Sequence, residues 1–143
     1  MATDTTPQRD GLKKLAFLIG KWDTRGTITK DASILIKGTD TYEWISGNCF
    51  ILHRVDVLMG DEGTEVTEII GYDQGRGQYF LTSYDNTGAV VTMQATLDDS
   101  GVLKLGNDQM RATLHRGDDG NLNAKWELFE DTWQPWMEIV LVR

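Results

Sequence analysis

The feature that most constrains this chain is a recurring punctuation of glycine with asparagine or aspartate between short β-rich runs. Gly47-Asn48, Gly60-Asp61-Glu62-Gly63, Asp73-Gln74-Gly75-Arg76-Gly77, Asn86-Thr87-Gly88, Asp98-Asp99-Ser100-Gly101, Gly106-Asn107-Asp108 and Gly117-Asp118-Asp119-Gly120-Asn121 all carry it. Such clusters adopt the left-handed and turn conformations that tight reversals need. The runs they separate, together with two earlier ones, are rich in Val, Ile, Thr, Tyr, Phe and Trp, residues that suit a pleated, half-buried surface. They predict strands over 22–29, 39–46, 50–59, 64–72, 79–85, 89–97, 102–105, 110–116, 122–129 and 136–142. The links are too short to hold crossover helices, so neighbouring strands must run antiparallel. A meander of about ten strands left open would expose two edges, and closure removes both. The sequence therefore predicts an all-β fold, a single up-and-down antiparallel β-barrel.

Only the beginning departs from the period of two. Leu12, Leu15, Ala16 and Ile19 fall at helical spacing, with Asp10 as the expected N-cap and Gly20 as the stop. This predicts one short N-terminal helix, with residues 1–9 as a flexible lead and 10–143 as the barrel domain. A chain of 143 residues has room for one such domain and no second large one.

Charge narrows the partners. With 14 Lys and Arg against 22 Asp and Glu the formal net charge is −8. This disfavours nucleic acid, whose phosphates need clustered cations, and anionic membrane surfaces. Six acidic residues and no basic one lie between Asp56 and Asp73, which reads either as a cation site or as solvated turns and strand faces. Met1 to Gln8 has neither the basic nor the apolar region of a signal peptide, and no run approaches the length of a membrane helix. Cys49 is alone, so no internal disulfide forms and no cysteine zinc site is built. Cytoplasm is the expected compartment.

Few residues carry chemistry. His53 lies between Ile51 and Val55 at i±2, as a metal ligand, an acid–base group or a hydrogen-bonded core histidine would. Arg54 and Arg111 lie within strands: pointing inward, either would bind a carboxylate head group; pointing outward, it would pair with a neighbouring acid. Glu43, Glu68, Glu127 and Glu138 are candidate carboxylates that spacing alone does not pair. Trp44, Tyr72, Tyr84, Trp126, Trp133 and Trp136, with Met93, Met110 and Met137, would line a soft apolar pocket or fill a core. Trp133-Gln134-Pro135-Trp136 reads as a short link that is either a gate at the barrel mouth or a dimer contact. No Gly-x-Ser-x-Gly elbow occurs, Cys49 has no basic neighbour, and the glycines of 71–77 precede no helix, so acyl-transfer and phosphate-loop chemistry are not indicated. The binding candidates are thus Trp44, His53, Arg54, Tyr72, Tyr84, Met93, Arg111 and Trp126. No metal and no cofactor is expected.

Phe17-Leu18-Ile19-Gly20-Lys21-Trp22 resembles the barrel-opening signature of lipocalins and their calycin relatives, a Gly-x-Trp after a short helix. The resemblance implies that Trp22 lies across the closed end of the barrel, introduced by Gly20, and that Arg143 near the last strand packs on it. The longer run Leu15 to Gly26, with Tyr42-Glu43-Trp44-Ile45-Ser46-Gly47 and Gly71-Tyr72-Asp73, resembles small bacterial lipocalin-like proteins grouped as domain-of-unknown-function family 1579. It implies a barrel with an interior cavity and no established reaction. Nitrobindin-like haem barrels share the Phe-Leu-x-Gly-x-Trp opening and place their haem-ligating histidine in the C-terminal part, where this chain has His115.

Taken together, the expected function is binding of a small, mostly apolar ligand inside the barrel, with or without a carboxylate. The alternatives are a cyclase- or isomerase-type barrel enzyme using His53 or a buried Glu, a haem protein ligated by His53 or His115, and a structural module whose interior is filled. A homodimer is compatible with each.

Overall fold

Ten strands alternate in direction around one closed barrel in the computed structural model, which describes residues 4–143. They are β1 (Gly20–Ile28), β2 (Asp31–Ile45), β3 (Phe50–Met59), β4 (Glu62–Asp73), β5 (Gln78–Asp85), β6 (Val90–Leu97), β7 (Leu103–Gly106), β8 (Met110–Arg116), β9 (Leu122–Glu130) and β10 (Thr132–Val142). Each pairs antiparallel with its sequence neighbours, and β1 closes on β10 from Asp23 opposite Val142 to Ile28 opposite Met137. The up-and-down barrel read from the sequence is the fold.

Two boundaries differ, both for backbone reasons. β2 starts eight residues early, because Gly38 does not break the strand. A Cβ there would stand 2.1 Å from the Asp56 carbonyl oxygen, so the bare backbone lets β2 and β3 approach closely. The expected link through Trp133, Gln134 and Pro135 is instead part of β10, which starts at Thr132 and accommodates Pro135 where the register with β9 shifts. The reversal lies at Asp131 alone, in the left-handed region at φ 62°.

The N-terminal helix also differs. Helix α1 spans Thr6–Lys13, with Pro7 in its first turn, where the missing N–H costs nothing. Asp10 is therefore inside the helix rather than its N-cap. The chain then makes a single 3-10 turn over Ala16–Leu18 before β1. Residues 1–3 of the expected lead lie outside the described residues. Gly11 is packed so closely on the Tyr72 ring that a Cβ would come within 2.3 Å of it.

Because the hairpins alternate, one end of the barrel is closed by α1 and the 3-10 turn. Leu12, Leu15, Leu18 and Trp22 are each 1 % exposed or less. The Trp22 indole N–H donates to the Leu18 carbonyl at 2.8 Å, and the Tyr79 hydroxyl to that of Gly11 at 2.6 Å. Arg143 stacks on the Trp22 ring at 4.1 Å and donates to the Ile19 carbonyl at 3.0 Å. No helix among the described residues is long and apolar enough to cross a membrane.

Candidate functional site

Side chains alternate in and out along every strand. Above the Trp22 layer the inward ones do not meet, and they enclose a cavity of about 450 Å³. Leu18 forms its floor, and Glu62, Gly63, Asn86 and Thr87 reach its rim. Most of the wall is apolar, including Val55, Ile70, Leu81, Met93, Trp126 and Ile139. On one side, five polar side chains from four adjacent strands converge.

That convergence follows from register. Tyr42 of β2 and Glu68 of β4 stand directly opposite His53 of β3, and Asp40 lies one inward step along β2. His53 Nε2 is 2.6 Å from Asp40 Oδ2, and Nδ1 is 2.9 Å from Glu68 Oε1. The Thr24 hydroxyl donates to the other Asp40 oxygen. Tyr42 stacks on the imidazole, ring centres 3.9 Å apart and planes 7° apart. Thr24, Asp40 and Glu68 are all buried.

Burial opposes a charge on His53, but the hydrogen bonds to Asp40 and Glu68, with the charge of the two carboxylates, outweigh it and raise its pKa to about 9. His53 is thus an imidazolium near neutrality, donating from both nitrogens. Burial first, and then the charges of Asp40 and Glu68, push the Tyr42 phenol well above the usual tyrosine range, so it stays neutral. One imidazolium against two carboxylates leaves the cluster formally at −1. Among the described residues, Glu68 Oε2 and the Tyr42 hydroxyl have no protein partner. Neither is among the fully occluded unpartnered atoms, and both residues line the cavity.

This arrangement disfavours two roles considered for His53. Its ring nitrogens lie 2.6 and 2.9 Å from carboxylate oxygens, so neither is presented to a metal or haem iron, and the raised pKa works against service as a base. His115, the other histidine, is exposed on β8 and does not line the interior cavity, so neither histidine is presented to a haem there. No group of three or more His, Cys, Asp or Glu among the described residues has metal-ligating geometry. Any base in this site would be a carboxylate, and Glu68 has the free oxygen.

Of the binding candidates read from the sequence, His53, Met93 and Trp126 line the cavity, as do Trp136, Met110, Met137 and Glu68, which the sequence also singled out. Trp44 and Tyr72 are on the inward side but lie toward the closed end, packed into the core. Arg54, Tyr84 and Arg111 are exposed on the outer face, one residue out of phase with the inward set on their strands. Arg111 pairs with Glu127 at 2.8 Å and lies 4.1 Å from the Trp133 ring. The inward guanidinium expected for a carboxylate ligand is therefore absent from the cavity wall. Thr24, Asp40 and Tyr42 were not anticipated. The signal for Glu68 was the one that marked His53: an ionisable residue flanked at i±2 by apolar ones, Val66 and Ile70. A larger, shallower concavity of about 700 Å³ spans the outer flank near Lys104, Arg111 and Lys125. Its charged groups are largely solvated, and Lys125 pairs with Glu138 at 3.8 Å, so the candidate site is the interior.

A closed ten-stranded barrel, plugged at one end and carrying a buried ionic cluster on the wall of an interior cavity, is a small cavity-bearing β-barrel protein. Within that class the chain belongs to the family described as "Protein of unknown function (DUF1579)", whose model matches residues 7–143. Among solved structures, the crystal structure of Rv2717c from M. tuberculosis is similar in fold. It has a TM-score of 0.70 and 16% sequence identity, over 93% of this chain and 96% of that one. No curated protein matches the chain.

Proposed function

We propose that this protein binds a small, mostly apolar molecule inside its barrel. The observation that carries the reading is the combination of a cavity of about 450 Å³ with apolar walls and a single polar cluster. Binding sites for small molecules commonly have this make-up, a greasy enclosure with a few placed polar groups that orient the ligand. A barrel serving only as a structural module would fill the same space with side chains. At about 30 Å³ per water the cavity would hold on the order of fifteen waters, or a ligand of similar non-hydrogen atom count. The lipocalin-like opening of the barrel supports the reading, since Trp22 and Arg143 close one end as that resemblance implies. A cytoplasmic location is part of this proposal, and the unpaired Cys49 is compatible with it.

Native mass spectrometry of the purified protein, with thermal melting in octanol, tests the reading. The expected result is a copurified adduct, or a melting temperature that rises with octanol concentration as mass action requires. No adduct and no stabilisation by any apolar probe would overturn it.

A further inference from the structure

The polar cluster does more than interrupt an apolar wall, because its charge and its free atoms have a sign. Glu68 is 7% exposed and lines the cavity; one carboxylate oxygen is taken by His53, and the other has no partner among the described residues. Tyr42 also lines the cavity, and its hydroxyl is similarly without a partner among the described residues. Both can accept a hydrogen bond, and no cationic side chain other than His53 lines the cavity. The mouth repeats the sign. The five turns at the open end, with the strand residues flanking them, carry seven acidic residues (Asp31, Asp61, Glu62, Asp85, Asp108, Glu130 and Asp131) and one basic residue, Lys30. A carboxylate ligand would meet like charge at the mouth and again at the wall. An ammonium would be attracted at both and would find an unused carboxylate oxygen at the end of its path.

We propose that the interior ligand is a small amine with an apolar body, its ammonium donating to Glu68 Oε2 and the Tyr42 hydroxyl while alkyl or aryl carbon fills the Met93–Trp126 side. This rests on the interior-binding reading above and names the ligand class for the same cavity. The buried charge is compensated because the cluster is formally anionic before the ligand enters. A neutral alcohol would make one ordinary hydrogen bond there, and a charge-assisted one is stronger.

Octylamine, octanol and octanoate share one chain and differ in head group, so calorimetric titration of the full-length protein at physiological ionic strength separates the possibilities. Octylamine is expected to bind about tenfold more tightly than octanol, the ratio for roughly 1.4 kcal/mol, and octanoate to show no binding. Octanol should displace octylamine, and the Tyr42 ring resonances should shift with both. In Glu68→Gln the amine preference should fall to within about threefold of octanol while octanol still binds. Tyr42→Phe, which keeps the ring stack on His53, should weaken octylamine severalfold if Glu68→Gln does not fold. Octanoate binding as tightly as octylamine, an amine preference that survives Glu68→Gln, or octylamine that octanol cannot displace would each overturn the assignment. The last would mark attraction to an acidic surface. Those results leave interior binding intact if octanol binds inside, whereas failure of all three probes together with no native adduct removes interior binding itself.

Discussion

At the closed end, Trp22 donates its indole N–H to the Leu18 carbonyl and carries the Arg143 guanidinium over its ring, with Leu12, Leu15 and Leu18 in the core around it. One inward step further along β1 the same barrel is hollow, and Thr24 donates to Asp40 beside an imidazolium. The first region buries apolar area with its polar atoms bonded to backbone. The second buries three ionisable groups and leaves two polar atoms unused. Buried ion pairs are weak contributors to stability, because desolvation cancels most of their attraction. Retaining one beside a void is therefore better explained by what the void holds than by folding.

The sharpest way to break this comparison is at the closed end. Trp22→Ala should destabilise the barrel by about 3–5 kcal/mol, the cost of a large buried aromatic with its cavity, read as a lower midpoint in denaturant unfolding. A loss below about 1 kcal/mol would mean that the plug is not the stability centre. Ligand uptake should survive wherever the variant stays folded.

Cutting the cluster should cost nearly as much, for a different reason. His53→Leu leaves Asp40 and Glu68 buried without a counter-charge, and such truncations cost about 3–5 kcal/mol. The pH dependence distinguishes this from lost packing. The His53 pKa rises on folding from 6.5 to about 9, so its stabilisation is fully present below pH 6.5 and is lost as pH rises through 9. The full effect is on the order of 3 kcal/mol. Unfolding free energy of the wild type should fall across that window, and the slope should flatten in His53→Leu. Replacing the whole cluster by apolar residues (Thr24→Val, Asp40→Leu, His53→Leu, Glu68→Leu) should restore stability to near the wild type. It should also abolish the preference for an amine.

How much of this was legible in the sequence divides along the same line. The strands and their closure could be read because turn chemistry and β-rich runs are local signals. Where reading failed, a local signal was overridden: Gly38 and Pro135 look like breakers, yet one serves a close backbone approach and the other a bulge. His53 was marked as inward by Ile51 and Val55. Glu68 carried the same mark, but that it and Tyr42 pair with His53 was not legible, because the pairing depends on the registers of two hairpins, and register is set jointly by turn geometry and burial. The outward placement of Arg54 and Tyr84 follows from alternation once one inward residue per strand is known. Without a register, the apolar Leu52 and Leu58 beside Arg54 blurred which face was which.

A smaller effect is expected from the clasp that joins the chain ends. Arg143→Ala removes a partly solvated cation–π contact and a hydrogen bond to the Ile19 carbonyl, about 1 kcal/mol in total. The check is a modest drop in melting temperature together with faster amide exchange across Ala16–Leu18, the turn that the guanidinium ties down. An effect as large as that of Trp22→Ala would mean that the plug depends on its clasp rather than on its buried area.

The smallest effect should come from the outer wall. Arg111 has the most conspicuous partners of any arginine within a strand, Glu127 at 2.8 Å and the Trp133 ring at 4.1 Å. Yet its side chain is 48% exposed, and solvent screens such pairs to between about 0 and 1 kcal/mol. Arg111→Ala should therefore shift unfolding by less than about 1 kcal/mol and leave octanol and octylamine binding unchanged. The corresponding inner substitution, Glu68→Gln, should change ligand preference. If Arg111→Ala altered binding, the recognition surface would include the outer flank with its larger concavity, and the separation between a solvated outside and a selective inside would fail. Nearly equal contact distances on the two faces then make the point physically: Arg111 at 2.8 Å from Glu127 outside and His53 at 2.9 Å from Glu68 inside differ in consequence because only the inner pair is shielded from water.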